Sequence, residues 1–559
     1  MAKKLPLVLL CVSSMVCGAF ITKLLDDRVI TGAVVKEAEK VLGLEFSPAE
    51  ADSMVINLQN NRKSYEVMRT FEIKNAVAPA LYFNPLPAGF VFEKTQTLFQ
   101  TSTSKSVKRP ANRNELAWYS VHDLAELIRT KQLSSLELTR FFLDRLKAYD
   151  PQLHCVITIT EALALEQAAR ADAEIKAGKY RGLLHGIPYG AKDLLAKKGY
   201  KTTWGSVAYK DQALDYDAVV IQRLEKAGAV LCAKMTLGEL AMGDVWFGGK
   251  TLNPWNLSRG SSGSSAGSAS AVAAGLLPFA IGSETLGSIV SPSSECGTTG
   301  LRPTFGRVPR TGAMTLSWSM DKLGPICRTV EDCAIVFNAI QGPDGQDPTI
   351  MAAPFNYNGN NTSLKGVKIG YLKSAFDRNY PTKTQDSLVL VQLKSLGATL
   401  IPIDLPDYPV GNMSFLLSAE ASAAFDELTR SNRDDLLVQQ NKNAWPNTFR
   451  ASRFVPAVEY LQANRLRTKL IQEMHEKLKG LDVYISPAFG NPNLTLTNLT
   501  GHPCVVLPNG FRSEKGIDRP TSITFMGQLF GEAKLLQVAK AYQDATNWHK
   551  KHPALFSKE

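Results

Sequence analysis

The stretch from Ser258 to Gly312 constrains this chain more than any other. It reads SRGSSGSSAGSASAVAAGLLPFAIGSETLGSIVSPSSECGTTGLRPTFGRVPRTG, with twelve serines between Ser258 and Ser294 interleaved with glycine and alanine. That composition alone would suit a flexible Gly/Ser linker. The patterning argues against a linker. Ala269 to Leu277 is a run of small and apolar residues suited to a tightly packed buried helix, and Phe279-Ala280-Ile281 reads as a short buried strand. The stretch is therefore core, with small side chains where backbones must pass close to each other and to a ligand.

The surroundings supply an α/β framework. Val219 to Ala227 reads as a helix, Gly228 as a stop and Ala229 to Ala233 as a strand. Ser387 to Leu396, Gly397 and Thr399 to Ile403 repeat that grammar, and Val367–Leu372 and Asp482–Ile485 add strands. Such alternation builds a sheet with helices on its faces. Ser120-Val121-His122-Asp123 and Ser134-Ser135-Leu136-Glu137 are capping boxes, the second opening a helix to about Tyr149. Ser47-Pro48-Ala49-Glu50 is a third, with proline at the first helical position. Residues 23–110 read as a helical pair followed by a proline-rich, aperiodic strap over the main body. The segment 410–480 reads as a long helical insertion. No repeat or linker divides residues 111–559, which are expected to form one large domain.

At the N-terminus a short basic head, Met1-Ala2-Lys3-Lys4, precedes the apolar run Leu5–Ile21, and Cys17-Gly18-Ala19 offers small residues for cleavage. Residues 1–22 thus have the layout of a signal peptide or a membrane anchor. Either reading places the protein outside the cytoplasm, periplasmic or extracytoplasmic, with any membrane association running through residues 5–21. The net charge of +11 includes the ends of the chain, and no basic run with interleaved aromatics suggests nucleic acid. Of eight cysteines, Cys11 and Cys17 lie in the leader. The rest are spread without CxxC spacing, as expected of buried free thiols, although export leaves a Cys327–Cys333 disulfide open.

The chain has no HExxH, no metal-spaced His/Cys/Asp cluster and no P-loop lysine in the Gly/Ser loop at 260–267. His185 and His502 are candidate bases with no evident acidic neighbour. Lys192 is better placed, at the end of the apolar strand in Gly186-Ile187-Pro188-Tyr189-Gly190-Ala191-Lys192-Asp193. Burial disfavours an ammonium, and a neutral lysine can act as a general base. The competing reading is a lysine ion-paired to Asp193 or another carboxylate.

Three separated elements, GIPYGAKD, NPWNLSRGSSGSSAGSASAVAAG and GSETLGSIVSPSSECGTTGLRPTFGRVPRTG, together resemble the amidase signature family of serine hydrolases. The likeness is strong over 185–312 and extends weakly over most of 116–550. It implies a large, mixed and twisted sheet flanked on both faces by helices, with no metal or organic cofactor. It also implies a Ser–cis-Ser–Lys triad. Lys192 falls on the base, Ser264 on the bridging serine with a cis peptide, and Ser288 on the nucleophile. Thr285, Leu286, Gly287 and Ser288 fall on the oxyanion loop. The implied activity is hydrolysis of a small-molecule carboxylic amide through an acyl-enzyme on Ser288. A glutaminase subunit of a tRNA-dependent amidotransferase, or an impaired binding protein on the same scaffold, are the alternatives. A homodimer is left open.

The chain departs from the family pattern beside the nucleophile. Leu286 replaces a glycine, Val290 the usual arginine and Glu284 the usual aspartate, while Ser262 and Ala266 replace glycines around the serine pair. Leu286 is expected to restrict φ and add bulk, giving a narrower or more apolar acyl site. The substrate pocket is expected from 235–250, 314–320 and 410–470.

Overall fold

The computed structural model describes residues 29–68, 70, 74, 75, 77, 81–103, 106–514 and 516–557. The apolar run 5–21 lies outside the described residues. Among the described residues no helix is long and apolar enough to cross a membrane. The chain divides into two compact units, one ending at Lys74 and one beginning at Asn75.

The first unit is a pair of packed helices, Gly32–Leu42 and Pro48–Met68. Thr31 caps the first, and Gly43 ends it at φ +65°. The box predicted at the second is reciprocal. Glu50 N–H donates to Ser47 Oγ at 3.3 Å, and Ser47 N–H donates to the Glu50 carboxylate at 2.7 Å.

The second unit is built on one mixed sheet of eleven strands. Its spatial order is Val156–Ile159, Val230–Met235, Pro188–Lys192, Phe279–Glu284, Lys322–Cys327, Thr299–Arg302, Cys504–Glu514, Ile517–Gly527, Val483–Pro487, Lys368–Leu372 and Thr399–Ile403. Pro188–Lys192 runs parallel to both of its neighbours, while Lys322–Cys327 is antiparallel to both of its own. The strands at the middle of the sheet are buried along their whole length, and helices cover both faces. The large mixed sheet with flanking helices is the predicted architecture.

The predicted caps are in place. Ser120 caps Val121–Arg129 and Ser134 caps Ser135–Leu153, each side chain accepting the N–H three residues on. The second helix continues four residues past Tyr149, through Pro151, because a proline in the last turn removes only one late hydrogen bond. Between residues 410 and 480 the chain forms helices Phe415–Ala424, Asp426–Arg430, Trp445–Ser452 and Ala457–Leu478. Residues 81–103 lie along the body. Phe83 meets Phe305 edge-on at 5.1 Å, Phe92 meets Phe530 at 5.0 Å, and Gln100 bridges to Asn358. Cys327 and Cys333 are buried free thiols, as are Cys155, Cys232, Cys296 and Cys504, so the Cys327–Cys333 disulfide is not formed.

Candidate active site

The serine-rich stretch folds as core. The helix Ala266–Ala273 is buried at all eight positions. It leads into the buried strand Phe279–Glu284. Small residues are required here: a Cβ on Gly267 would sit 2.2 Å from the Cys155 carbonyl oxygen. The serines also spend their hydroxyls on backbone, Ser268 donating to Ile281 O at 3.0 Å and Ser270 to Leu252 O at 2.8 Å. That satisfies buried polar groups inside an otherwise apolar layer.

Lys192 ends a strand flanked by Val230–Met235 and Phe279–Glu284, and its side chain is wholly buried. Its Nζ lies 2.8 Å from Ser264 Oγ, 2.8 Å from Ser283 Oγ and 3.2 Å from Ser265 Oγ. Of the two readings of Lys192, the ion pair is not what forms. Asp193 turns instead to Lys234, 2.5 Å away, with both side chains fully buried. Asp193 also accepts from the Thr203 N–H and hydroxyl at 2.8 and 2.6 Å. Among the described residues Lys192 has no carboxylate in salt-bridge contact. Burial pushes it well below the ordinary lysine range, against the weaker pull of Asp321 and Glu284.

Ser264 follows a cis peptide bond, Gly263–Ser264, at the position the family likeness indicated. Ser265 stitches this loop to the next. Its hydroxyl accepts from Ser283 N–H and donates to Ser283 O, both at 3.1 Å, and its N–H donates to Ser288 O at 3.1 Å. Ser264 and Ser288 therefore sit on loops joined backbone to backbone. Ser288 is half-buried, and its hydroxyl has no hydrogen-bond partner among the described residues. The N–H groups of Leu286, Gly287 and Ser288 are likewise without partners among those residues, as a loop that receives an anion requires.

Two carboxylates shape this loop. Glu284 is fully buried and accepts from Ile289 N–H and Val290 N–H, both at 2.9 Å, from Arg302 at 2.8 Å and from Asn498 at 2.8 Å. Burial alone would raise its carboxyl, but the charges of Arg302 and Lys322 outweigh burial and hold it at about 2. Asp321 accepts the Thr285 hydroxyl at 2.6 Å and the N–H groups of Leu316 and Ser317 at 2.8 and 3.0 Å. Desolvation nevertheless leaves its carboxyl above the ordinary value.

The departures from the family pattern read differently in three dimensions. Leu286 does not have a positive φ, so its side chain meets no left-handed backbone strain. The residue with positive φ is Gly287, at +95°, and that glycine is kept. Leu286 packs against an apolar cluster that holds Val290, Met320, Leu496 and Val506. Val290 is fully buried there, so an apolar wall stands where the family's arginine would. Glu284 keeps the anchoring role of a carboxylate.

A cavity of about 290 Å³ adjoins Ser283 and Thr285 and is walled by Met314, Leu316, Trp318 and Leu323. Arg310 and Asp347 also face it, 3.0 Å apart and paired to each other. The helical insertion reaches this wall through Glu420, which accepts from the hydroxyls of Ser317 and Ser319 at 2.7 and 2.6 Å.

The histidines lie outside this constellation. His185 does find an acidic partner, Glu174 at 3.1 Å, but it precedes the opposite end of the strand that carries Lys192. His502 contacts Thr500 Oγ1 at 2.8 Å, and burial with the nearby Arg302 charge drives it down to about 3. Sequence reasoning did not single out Ser265, Ser283 or Asp321. Ser283 lies 91 residues from Lys192, and nothing local marks a strand serine as its partner.

The comparisons with known proteins agree with this architecture. A family model described as amidase matches residues 137–497. A glutamyl-tRNA(Gln) amidotransferase subunit of Marinomonas sp. (strain MWYL1) is 35% identical over 483 residues, covering 78% of this chain and 98% of that protein. Among solved structures, the native peptide amidase of Stenotrophomonas maltophilia superposes with a TM-score of 0.69 at 30% identity, covering 78% of this chain and 98% of that one. An amidase family protein from Bacillus anthracis str. Ames superposes with a TM-score of 0.69 at 28% identity, covering 78% of this chain and 92% of that one.

Proposed function

The chain belongs to the amidase family, enzymes of amide C–N bonds, and on that premise we propose that it hydrolyses a carboxylic amide through an acyl-enzyme on Ser288. The observation that carries this reading is the buried Lys192 amine, 2.8 Å from Ser264 Oγ and free of any paired carboxylate among the described residues. A neutral amine has a lone pair to accept the Ser264 proton as Ser264 takes the proton of Ser288. The Ser288 oxygen then bonds to the amide carbon, and the carbonyl oxygen takes the charge. The unpartnered N–H groups of Leu286, Gly287 and Ser288 are available to stabilise it. Ser264 gives a proton to the nitrogen and regains one from Lys192, the C–N bond breaks, and ammonia or an amine leaves. Water attacks the ester on Ser288 by the same relay and releases the acid.

The test is Ser288→Ala in the full chain, assayed on a panel of primary, aryl, peptide and fatty amides and with a fluorophosphonate probe. Hydrolysis and labelling are expected to vanish together while the fold is kept. Full turnover in the variant overturns the assignment. Labelled wild-type protein that hydrolyses none of the panel leaves the chemistry standing and narrows the substrate.

A second reading shares the chemistry but changes the destination of the nitrogen. The curated relatives favour it, since the Marinomonas protein is named as part of an amidotransferase. In that role the chain would hydrolyse glutamine and pass ammonia to partner subunits. Copurification with such subunits, and glutamine hydrolysis that depends on them, would select it. The basic head and apolar run at residues 1–22 support export instead, which favours a free-standing amidase. The mass of the mature N-terminus tests export: an intact, unprocessed chain in the cytoplasm overturns it.

A further inference from the structure

A second cavity, of about 550 Å³, lies outside the triad, among the ribbon at Leu252–Gly260, the hairpin formed by Cys504–Glu514 and Ile517–Gly527, and the C-terminal tail. This is the size range of sites for small organic ligands. Its walls are apolar, with Trp255 and Leu257 from the ribbon, Phe511 and Ile517 from the hairpin and Leu555 from the tail. Its charges come mainly from the tail. Lys550 and Lys551 both line it, and neither is ion-paired or hydrogen-bonded through its side chain among the described residues. Lys551 Nζ instead rests over the Phe511 and Trp548 rings, 4.7 and 5.7 Å from their centroids. Asp518 is the one carboxylate in the lining, and it is exposed and paired with neither lysine.

From this geometry we propose that the cavity is a second small-molecule site, for an apolar carboxylate such as an acyl or aryl acid. Aromatic and aliphatic walls take the hydrocarbon, and two cations without a carboxylate partner take the head group. A neutral ligand of the same shape leaves both lysines unanswered. A cationic ligand meets their repulsion.

The walls are fixed to the segments that carry the serines. Trp255 Nε1 donates to Cys296 O at 2.8 Å, and Asn253 Nδ2 donates to Glu295 O at 2.8 Å. Both acceptors lie at the end of the helix Val290–Cys296, which begins just after Ser288. The strand Asn256–Gly260 runs on through Ser261 to the Gly263–Ser264 cis peptide. A ligand against Trp255 therefore touches a frame continuous with both catalytic loops.

The experiment is calorimetric titration of the full-length Ser288→Ala chain with octanoate and, separately, with octanamide, reading tryptophan fluorescence in parallel. Octanoate is expected to bind and to change the fluorescence. The double substitution Lys550→Gln/Lys551→Gln is expected to weaken octanoate at least tenfold and to leave octanamide unchanged. Both lysines are exposed, so the variant keeps its fold, and an unaltered thermal transition checks this. Octanoate affinity that survives the double substitution places the acid elsewhere and overturns the proposal. So does no octanoate binding at millimolar concentration, or octanamide binding that weakens in the double variant as much as octanoate does. None of these readouts depends on turnover, so the site stands or falls separately from the proposed amidase reaction.

Discussion

Asp193 follows Lys192 in the chain but pairs with Lys234, 2.5 Å away, in a wholly buried contact. The pairing follows from strand geometry. Successive residues leave a strand on opposite faces, and Lys234 belongs to the neighbouring parallel strand, in register with Ala191. The aspartate is thus occupied, and Lys192 is left to the serines. Replacing Lys234 by Met strands a buried carboxylate, a change that typically costs about 3–5 kcal/mol. The urea midpoint of Lys234→Met is expected to fall by the equivalent of that loss. A midpoint within error of the wild type would mean that the pair does not form.

The depressed Lys192 sets the pH dependence of the proposed reaction. Turnover needs the neutral amine, so the rate falls as pH drops through the pKa of Lys192 in the folded protein. Burial moves that pKa well below the ordinary lysine value, so activity is expected at pH values where a free lysine is almost fully charged. Stability carries the same sign. Between the folded and unfolded pKa values the unfolded chain holds the extra proton, so this lysine disfavours folding there, and the penalty disappears as pH rises past about 10.4. Lys192→Ala is expected to lower kcat by about 100- to 10,000-fold and to abolish the acid limb. A variant that keeps the wild-type pH–rate profile removes Lys192 as the base.

Parts of this architecture were legible locally. The boxes at Ser47, Ser120 and Ser134 each depend on residues three apart, and all three caps form. The strand at Thr399–Ile403 also appears where its β-branched run ends a helix–glycine unit. Other strands were illegible because they carry residues that usually break strands. Lys322–Cys327 contains Gly324 and Pro325, yet it is paired on both sides. In the long hairpin, Pro508 and Gly510 flank a register shift, and Pro520 lies within the second strand. The candidate site followed the same division. Lys192, Ser264 and Ser288 stood out through motifs in the right order. Ser283 and Asp321 became visible only once the sheet brought distant segments together.

The proposed oxyanion loop gives two adjacent positions different roles. Gly287 has φ +95°, and a Cβ there would lie 3.2 Å from Leu494 Cδ2. Gly287→Ala is therefore strained by both backbone and contact. Its kcat is expected to fall by about 100-fold, the scale of losing one oxyanion donor. Leu286→Gly restores the family residue at a position that does not need it. It should keep most of the activity and lose roughly 1 kcal/mol of stability, since a half-buried packing residue is replaced by a flexible one. Steady-state kinetics and urea unfolding on the two variants check this. The opposite ranking, with Leu286→Gly the less active enzyme, would place the loop's constraint at Leu286.

Thr285 tests whether the carboxylate beneath the loop positions it. Its hydroxyl donates to Asp321 Oδ1 at 2.6 Å. Thr285→Val keeps the shape and removes the bond. The loop then loses its tether while every N–H group remains, so kcat should fall by up to about 100-fold with KM little changed. Thr285→Ser restores the donor and should recover most of the rate. Equal losses in Val and Ser variants would assign the effect to packing.

Glu284 makes the site sensitive to acid. Its carboxyl is held at about 2, because Arg302 and Lys322 outweigh the penalty of burial. A group depressed in this way stabilises the fold above its ordinary value of about 4.5. The contribution is lost as pH falls from there toward 2, where protonation releases Ile289 N–H, Val290 N–H and the Arg302 ion pair together. Glu284→Gln is expected to be destabilised at pH 7 by about 3–5 kcal/mol, since Arg302 stays buried without its counter-charge. Its stability should then vary less with pH between 4.5 and 2 than that of the wild type, limits set by the ordinary glutamate value and the held one. Urea midpoints of both proteins measured across that window decide the matter. Parallel pH profiles would show that the carboxylate is not charged in the fold.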